Sequence, residues 1–384
     1  MAGQRSTIRL SQEHQQSTIH WNNMQILLLD GGLGTTLEAP PFNVTFTTET
    51  PLWSSHLLIS SPSTLQSAHR AFHDAGADIL LTATYQTSVE GFVRTDASHT
   101  IKDAQRYMRS AVPLVRSVTS PVISPAGECQ SQTRLPCRLA LSLGPYGATM
   151  TPVAAEYTGL YPAAMDREDA LREWHASRLR IFIEDSESET RPWDQVDYVA
   201  FETLRRADEV RAVRGAMADV LPDKQNKPWW LCGVFPAEEV DETDVRRWIG
   251  AAMGQTDSDL PRPWGIGLNC TRMDHVAKIV EVMRDELHLL EKTGKYVDGW
   301  SSASGKPWLV LYPDGTKGEK YDPATKTWVQ GATEAVQRPW DESFWDVIQR
   351  QSEGSWEGII IGGCCRAGPA DVAALRHRID ARRL

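Results

Sequence analysis

The chain has 384 residues, of which 41% are hydrophobic, and a formal net charge of -10 at pH 7. This length suits two medium domains or one large barrel of about 250 residues with insertions. The surplus of acidic side chains argues against nucleic acids and anionic membranes as partners, so we expect small-molecule chemistry. No apolar run reaches the length of about 18 residues that predicts a membrane span.

The first part of the chain, residues 1–22, is polar and lacks the apolar stretch of a signal peptide. We expect a polar N-terminal arm followed by one domain over residues 23–384. The six cysteines are too few and too scattered for a disulfide framework, and we expect a cytoplasmic protein. The sequence leaves the assembly state, monomer or homodimer, open.

Short apolar runs alternate with longer segments of helical period from residue 25 onward. The apolar runs predict eight strands. The sixth ends at Cys270, and the others span 26–29, 78–81, 138–143, 198–201, 229–235, 307–311 and 358–363. Apolar residues at spacings of three and four predict helices that span 61–76, 101–115, 166–182, 210–220, 276–290 and 344–348. We interpret 237–262, which is rich in acidic residues, and 291–306 as loop insertions.

Eight strands that alternate with helical segments are typical of a parallel sheet in an α/β protein. The number eight favours a closed (β/α)8 barrel of the TIM type over an open sheet. No linker rich in proline, glycine or serine divides the repeating units. The sequence therefore predicts a single barrel domain with loop insertions.

The predicted strands end in residues that carry chemistry. In a (β/α)8 barrel the active site lies at the carboxyl ends of the strands, and alternate strands supply the same layer of side chains. Asp30, Thr82, Glu202, Cys270 and the pair Cys364-Cys365 all occupy such positions. Because the cysteines follow the sixth and eighth strands, the fold can bring thiols together that are far apart in sequence.

Three cysteines with one open position form the pattern of a catalytic zinc site. Zinc holds a thiol substrate as its thiolate at neutral pH, where a free thiol is mostly protonated. Three anionic sulfurs make zinc a poor Lewis acid for activating water. We therefore expect alkyl transfer to a substrate sulfur.

Four other interpretations of the cysteines remain open at this point. Cys364 and Cys365 suit a pair of small buried apolar residues, since free cysteine is among the most buried residue types. They also suit a strained vicinal disulfide or a pair that cycles as a redox sensor. In a non-catalytic barrel the zinc would be structural.

The chain resembles the homocysteine S-methyltransferase family from about Leu29 to Pro369. The resemblance rests on strings that occur in the family's order: DGGLGTTLE, LWS, HRAFHDAGAD, TATYQ, LGPYGA, EYTGLY, FETL, GLNCT, YPDG and GGCCR. GLNC together with GGCCR is the specific part of this match. LGPYGA and EYTG favour the branch of the family that uses sulfonium donors over the branch that uses betaine.

The resemblance implies roles for residues at the ends of the strands. It implies Zn2+ held by Cys270, Cys364 and Cys365, with Asn269 beside the metal. It also implies an amino-acid pocket in which Asp30 and Glu202 hold the ammonium group, while Gly31 and Thr82 line the wall. Tyr85, like Tyr146, is either an aromatic face for a sulfonium methyl group or a packing residue.

The resemblance further implies the reaction. A methyl group would pass from S-methylmethionine or S-adenosylmethionine to the zinc-bound thiolate of L-homocysteine, and methionine would form. Selenohomocysteine or selenocysteine remains open as the acceptor. Two departures from the family, Arg205-Arg206 after FETL and YPDG in place of YPN, suggest that the loops on the donor side differ.

Overall fold

The computed structural model describes residues 24–382 with internal gaps, so the predicted N-terminal arm lies outside the described residues. The gaps are at 48–49, 51, 120–135, 152–153, 185–190, 222–226, 256–259, 297–304, 317–318, 323–326, 331–337 and 352–354. Over 320–322 and 327–330 the structure describes only the backbone.

Strands and helices alternate along the described chain. The strands are β1 (Gln25–Leu28), β2 (Ile79–Leu81), β3 (Arg138–Leu143), β4 (Tyr198–Leu204), β5 (Trp229–Gly233), β6 (Gly265–Asn269), β7 (Trp308–Tyr312), β8 (Glu319–Asp322), β9 (Thr327–Gln330) and β10 (Gly358–Ile361). The helices are α1 (Leu33–Glu38), α2 (Leu57–Ser60), α3 (Pro62–Asp74), α4 (Val89–Thr95), α5 (Ile101–Thr119), α6 (Glu168–Ile183), α7 (Pro192–Gln195), α8 (Ala207–Val220), α9 (Glu242–Met253), α10 (Met273–Lys292), α11 (Trp340–Gln349) and α12 (Pro369–Arg382).

Eight of the strands form one parallel sheet in the order β1-β10-β7-β6-β5-β4-β3-β2. A parallel bridge between Leu29 and Ile79 joins its two edges. The N–H of Asp30 donates to the carbonyl of Ile79 across the same seam, at 3.1 Å. The expected (β/α)8 barrel is therefore confirmed. The two remaining strands, β8 and β9, pair as an antiparallel hairpin after β7.

The barrel strands are buried on both faces, as expected for a parallel sheet covered by helices. One set of side chains packs between the sheet and the helices, and a smaller set fills the interior of the barrel. The smaller set is rich in aromatic residues and consists of Leu27, Leu29, Ile79, Ala140, Tyr198, Ala200, Trp230, Cys232, Trp308, Val310, Tyr312 and Ile360. This packed interior leaves the carboxyl ends of the strands as the place for a site.

The interpretation of 237–262 as a loop insertion was wrong over 242–253, because α9 (Glu242–Met253) lies within it. The carboxylate of Asp241 caps this helix by accepting from the N–H groups of Thr243 and Asp244, at 2.9 and 3.2 Å. Its buried side chains, which include Val245 and Ile249, follow the helical period. The segment therefore supplies the barrel helix between β5 and β6.

Among the predicted boundaries that differ from the structure, two concern acidic residues. Strand β4 extends through Leu204, so Glu202 lies within the strand, next to an irregular register and a positive φ of 60° at Thr203. Helix α6 begins after Arg167, whereas the sequence predicts Asp166 as its cap. Asp166 instead pairs with Arg206, at 2.5 Å.

Among the described helices, none has both the length and the apolar character needed to cross a membrane.

Candidate metal centre and amino-acid pocket

The carboxyl ends of β6, β7 and β10, which are neighbours in the sheet, bring potential metal-ligand atoms together. The Sγ atoms of Cys270, Cys364 and Cys365 and a carboxylate oxygen of Asp314 all lie within 4.8 Å of one another. Each of these four side chains is partly exposed. We call this group the Cys3Asp cluster. The fold thus unites the three predicted cysteines with an aspartate for which the sequence predicts no role.

Backbone hydrogen bonds continue beyond the strand ends and hold the cluster in position. The N–H of Asp314 donates to the carbonyl of Thr271, at 3.0 Å. The N–H of Cys364 donates to the carbonyl of Pro313, at 2.9 Å. Cys270 adopts a positive φ of 45°, which turns the chain sharply after β6. The ligand atoms are therefore presented by backbone that is fixed at both sides of β7.

The sulfurs of Cys270 and Cys364 are covalently paired in this structure, and Cys365 is a free thiol. This pairing joins two strand ends, whereas the alternative considered from the sequence joins the vicinal residues Cys364 and Cys365. A metal would use the same sulfurs in their reduced form, since the thiolate is the ligand. Reduction of the bond is therefore a condition for metal binding.

The donor set of the Cys3Asp cluster fits zinc, which accepts cysteine sulfur and carboxylate oxygen in tetrahedral sites. The Oδ1 atom of Asp314 is buried and has no hydrogen-bond partner among the described residues. Burial raises the pKa of this carboxyl to about 7. Burial, followed by the charges of Asp314 and Glu156, raises the pKa of the Cys365 thiol well above its usual value. A cation would relieve both effects.

Asn269, the last residue of β6, connects the cluster to β4. Its side-chain amide donates to the Sγ of Cys270, at 3.3 Å, and to the hydroxyl of Thr203, at 2.7 Å. Its carbonyl oxygen accepts from the N–H of Thr203, at 2.7 Å. Asn269 thus lies beside the predicted metal ligands, where a donor to sulfur favours the thiolate.

Asp30 presents an unpaired carboxylate oxygen at the end of β1. The side chain is 2% exposed, and its Oδ2 accepts from the N–H of Leu81, at 2.9 Å. Its Oδ1 is buried and has no partner in the described part of the chain. Burial raises the pKa of this group well above its usual value, and the charge of Glu202 raises it further. An ammonium group would suit this position.

Gly31 packs against the turn that carries the cysteine pair. A Cβ atom at this position would lie 2.3 Å from the carbonyl oxygen of Ala367 and 2.8 Å from the ring of Phe72. A side chain here would therefore force the end of β1 away from the segment that follows Cys365. The glycine lets the Asp30 loop and the cysteine turn approach closely.

Glu202 lies near Asp30 on the inner side of β4 and is 6% exposed. Its Oε1 accepts from the hydroxyl of Ser142. Burial raises the pKa of Glu202 to about 7, although the hydrogen bond from Ser142 and the charge of Arg178 act in the opposite direction. Two buried carboxyl groups close to each other form a place where one positive charge is favoured.

Thr82 is buried at the end of β2, and its hydroxyl makes hydrogen bonds within the protein. Thr84 donates to the carbonyl of Ser142, at 2.6 Å, which leaves Thr82 as the donor in the 2.6 Å contact between the two threonine hydroxyls. The Thr82 oxygen also accepts from the N–H of Ser142, at 3.0 Å. Thr82 therefore orders the ends of β2 and β3, and its proton is not free for a substrate carboxylate.

The two tyrosines considered for the donor side have different surroundings. The Tyr85 hydroxyl is close to the charges of Glu156, Glu202 and Cys365, which add to the burial that raises its pKa. Tyr146 instead packs edge-on against the rings of Tyr161 and Trp174, with centroids 5.3 and 5.4 Å away. Tyr85 thus lies among the predicted site residues, whereas the contacts of Tyr146 are those of a packing residue.

The structure adds residues to the site that sequence reasoning missed. Arg178 of α6 is 3% exposed and donates to the carbonyls of Thr84, Tyr85 and Gly144, at 2.6, 2.7 and 2.8 Å. Burial lowers its pKa to about 9, so it stays cationic at neutral pH. Arg178 lies on a helix outside every sequence motif, so no pattern in the sequence indicated a role at the site. It fixes the loops after β2 and β3.

Glu156, in the string EYTG, is the second missed residue. It is 9% exposed, and its Oε2 is buried with no hydrogen-bond partner among the residues described. Burial raises its pKa to about 7. Together with Asp314 it places negative charge around Cys365. The mouth of the site is therefore acidic.

Comparison with known proteins gives a family match over most of the chain. The model of the homocysteine S-methyltransferase family matches residues 27–379. A betaine-homocysteine S-methyltransferase of Drosophila melanogaster is 30% identical over 370 residues, which are 94% of this chain and 96% of the relative. A selenocysteine Se-methyltransferase of Brassica oleracea is 25% identical and covers 93% of this chain and 89% of its own length.

Solved structures agree on the fold. The metallated form of the homocysteine methyltransferase MmuM from Escherichia coli superposes with a TM-score of 0.60 at 23% identity. The match covers 93% of this chain and 97% of that one. The match of the family model over most of the chain, with cysteines and carboxylates at the strand ends, establishes that this protein belongs to the homocysteine S-methyltransferase family.

Proposed function

We propose that this protein transfers a methyl group from a sulfonium donor, S-methylmethionine or S-adenosylmethionine, to the thiol of L-homocysteine. The observation that carries the proposal is the presence of an unpaired buried carboxylate, Asp30, at the same end of the barrel as three clustered cysteines. An amino acid that bears a thiol needs both features. Structural zinc and redox sensing need only the thiols.

The proposed acceptor pocket uses Asp30 and Glu202 for the ammonium group of homocysteine. Both carboxyl groups have raised pKa values because they are buried, so an arriving cation stabilises their charged forms. The hydroxyl of Thr82 donates to Thr84, so it has no proton left for the substrate carboxylate. Gly31 and Thr82 thus shape the wall of the pocket.

Cys270, Cys364 and Cys365 would hold zinc in the reduced protein. When it is bound, zinc supplies a positive charge that keeps the substrate thiol as a thiolate at neutral pH. Asn269 supports this arrangement by donating to the Cys270 sulfur. The requirement for reduced thiols is the reason for proposing a reducing compartment, the cytoplasm, as the location.

The reaction is a substitution at carbon. The sulfur of homocysteine attacks the methyl carbon, a new S–C bond forms, and the S–C bond of the sulfonium breaks with its electron pair. The donor leaves as a neutral thioether, and the thiol proton passes to solvent. Tyr85, close to the Cys365 thiol, offers an aromatic face for the cationic methyl group.

The acidic mouth favours a donor with a net positive charge. Glu156 and Asp314 both act on Cys365 through their charges. S-methylmethionine and S-adenosylmethionine each carry one net positive charge, whereas betaine is neutral overall. The betaine enzyme among the relatives makes betaine the second candidate donor, and the selenocysteine enzyme makes a selenol the second candidate acceptor.

A panel of donors and acceptors tests this proposal. Reduced, zinc-loaded protein is incubated with homocysteine and each of the three donors, and methionine is quantified. We expect methionine with at least one sulfonium donor and none above background with betaine. Methionine with betaine alone would contradict the donor proposal, and selenocysteine methylation without methionine would contradict the acceptor.

A further inference from the structure

Arg206 directly precedes α8 and is one of the two arginines at which the chain departs from the family after FETL. Its guanidinium forms a fork with the carboxylate of Asp208, in which Nε donates to Oδ1 at 2.9 Å and Nη2 donates to Oδ2. Its Nη1 donates to a carboxylate oxygen of Asp166, at 2.5 Å, and to the carbonyl of Gly159, at 3.0 Å. The side chain thus joins the start of α8 to the loop over 155–161.

The contact between Arg206 and this loop is close. Gly159 has a positive φ of 66°, and a Cβ atom there would lie 2.9 Å from the Cγ atom of Arg206. The guanidinium also lies over the ring of Tyr161, with its central carbon 4.8 Å from the ring centroid. A planar cation that stacks on a ring and also donates in a fork is not replaced by lysine.

The ends of the same loop are held as well. Glu209, in the first turn of α8, is fully buried, and its Oε2 accepts from the hydroxyl of Tyr161, at 2.5 Å. At the start of the loop, the N–H of Ala155 donates to the carbonyl of Gly147, at 2.9 Å. Arg206 therefore adds a third attachment between these two ends.

The loop carries two side chains that lie near the Cys3Asp cluster. Glu156 has a buried oxygen without a hydrogen-bond partner among the described residues, and its charge acts on the Cys365 thiol. Burial raises the pKa of Tyr157 well above its usual value, and the charge of Cys365 raises it further. The N–H of Gly159 donates to the carbonyl of Ala155, at 2.8 Å, and closes the turn that contains both side chains. A displacement of Gly159 would therefore move them.

We propose that Arg206 is a positioning residue for the methyl donor: it holds the loop so that Glu156 and Tyr157 lie beside the cluster and receive the cationic sulfonium. The inference rests on the proposed function for the identity of the donor. The carboxylates of Asp166 and Asp208 offset the charge of the guanidinium, so Arg206 anchors the loop without making the mouth of the site less acidic. Its effect is on binding of the donor and not on binding of homocysteine.

Steady-state kinetics of the reduced, zinc-loaded protein test this proposal. The KM values for the sulfonium donor and for homocysteine are measured for the wild type, Arg206→Met, Arg206→Lys and Arg211→Met. Arg211 is the matched control, because it lies on the same helix and pairs with Glu168 of α6, at 2.8 Å. We expect Arg206→Met to raise the KM for the donor about 10-fold and to leave the KM for homocysteine within about twofold. Arg211→Met should match the wild type.

Arg206→Lys separates charge from placement. It keeps the charge but not the fork, so its KM for the donor should be close to that of Arg206→Met. A wild-type KM for the donor in either variant would overturn the proposal. Equal rises in the KM values for both substrates would also overturn it, because a general loss of structure would then explain them. If Arg206→Met fails to fold, Arg206→Lys decides the question.

A double-mutant cycle tests whether Arg206 acts through the carboxylate of Glu156. Glu156→Gln alone should raise the KM for the donor about 10-fold, because it removes a charge that faces the sulfonium. When Glu156 is already glutamine, the further change Arg206→Met should raise this KM by less than about threefold. Two effects that multiply fully, to about 100-fold, would show that Arg206 does not act by placing Glu156.

Hydrogen exchange of the loop amides provides a readout that does not depend on turnover. The N–H groups of Thr158 and Gly159 donate to the carbonyl of Ala155, at 3.2 and 2.8 Å. In Arg206→Met they should exchange at least about 10-fold faster than in the wild type, and in Arg211→Met at the wild-type rate. Unchanged exchange in Arg206→Met would contradict the proposal. A wild type that forms no methionine with any sulfonium donor would contradict the proposed function, while the exchange rates would still decide whether Arg206 holds the loop.

Discussion

The carboxylates of the site differ in how well the sequence predicts their place in the site. Asp30 and Glu202 follow or end apolar runs, so their place at the mouth of a barrel is predictable. Asp314 also ends a strand, but its lack of a partner depends on the loops that bury it. Glu156 lies in a loop, where no periodicity indicates its direction. Whether a carboxylate has a partner depends on the packing of the folded protein. The sequence shows only which carboxylates could lie at the site.

Glu202→Gln removes one charge from the proposed ammonium pocket and keeps the shape of the side chain. The loss of a charge-assisted hydrogen bond of about 1.5–3 kcal/mol predicts a KM for homocysteine that is about 10–100-fold higher. Zinc content should not change, because Glu202 is not part of the Cys3Asp cluster. The exposed Glu173→Gln, on α6, is the control and should leave KM unchanged.

The raised pKa of Glu202 also predicts a pH dependence. Below about pH 7 the free protein holds this carboxyl in its protonated form, so the wild type loses its advantage over Glu202→Gln. The ratio of their kcat/KM values should therefore rise through pH 7 and level off above it. Taking the ratio cancels the ionisation of the thiol, which both proteins share. A ratio that does not change with pH would contradict the assigned ammonium contact.

Glu156→Gln tests the cost of an unpaired buried carboxylate. The folded pKa of about 7 lies above the ordinary value of 4.5, so the wild type loses stability as pH rises through that interval. Glu156→Gln has no carboxyl group at this position, so its unfolding free energy does not fall in this way. The unfolding free energy of the variant minus that of the wild type should therefore grow by up to about 3 kcal/mol between pH 4.5 and pH 8. Urea unfolding of the metal-free, reduced proteins measures it. An advantage that shrinks with pH would contradict the burial of this charge.

At the scale of elements, the eight barrel strands were predictable, whereas several helices, α9 among them, were not. The apolar runs of β3 and β6 stand out because strands buried on both faces are continuously apolar. In α9 the acidic residues of the first turn, Glu242 and Asp244, hide the start of a helical period. These acids favour a helix N-terminus, where they interact well with the helix dipole. The acidic residues led to the prediction of a loop, whereas they mark the beginning of a helix.

Strands β6 and β7 approach closely at Gly267, and this approach requires a residue without a side chain. A Cβ atom there would lie 1.6 Å from the carbonyl oxygen of Val310, so the strands would have to separate. Gly267→Ala should destabilise the protein by at least about 3 kcal/mol. It should also lower zinc content, because the same two strands carry Cys270 and Asp314. Chemical unfolding and metal analysis measure the two effects.

Gly250, within α9, is the matched control for this substitution. An added Cβ atom would meet nothing within 4 Å, and the residue lies in a helix. Gly250→Ala should therefore stabilise the protein by about 0.5–1 kcal/mol and leave its zinc content unchanged. Comparable losses in both variants would show that the spacing of β6 and β7 is not what positions the metal ligands.

At the scale of the whole molecule, the alternation of eight apolar runs with helical segments predicts the barrel. Closure itself was not predictable from any one segment, because it depends on the Leu29–Ile79 bridge between the first two strands. Closure is what makes the site. It brings Asp30 beside the end of β2, where the N–H of Leu81 donates to the Oδ2 of Asp30, at 2.9 Å.

The central claim is that three cysteines from two strand ends hold one zinc ion that binds the acceptor thiol. The most direct measurement is the zinc content per chain of the reduced protein, compared with Cys270→Ala and with the buried Cys232→Ala as control. The account predicts one zinc per chain in the wild type and in Cys232→Ala, and none in Cys270→Ala. Stoichiometric zinc that persists in Cys270→Ala would contradict it.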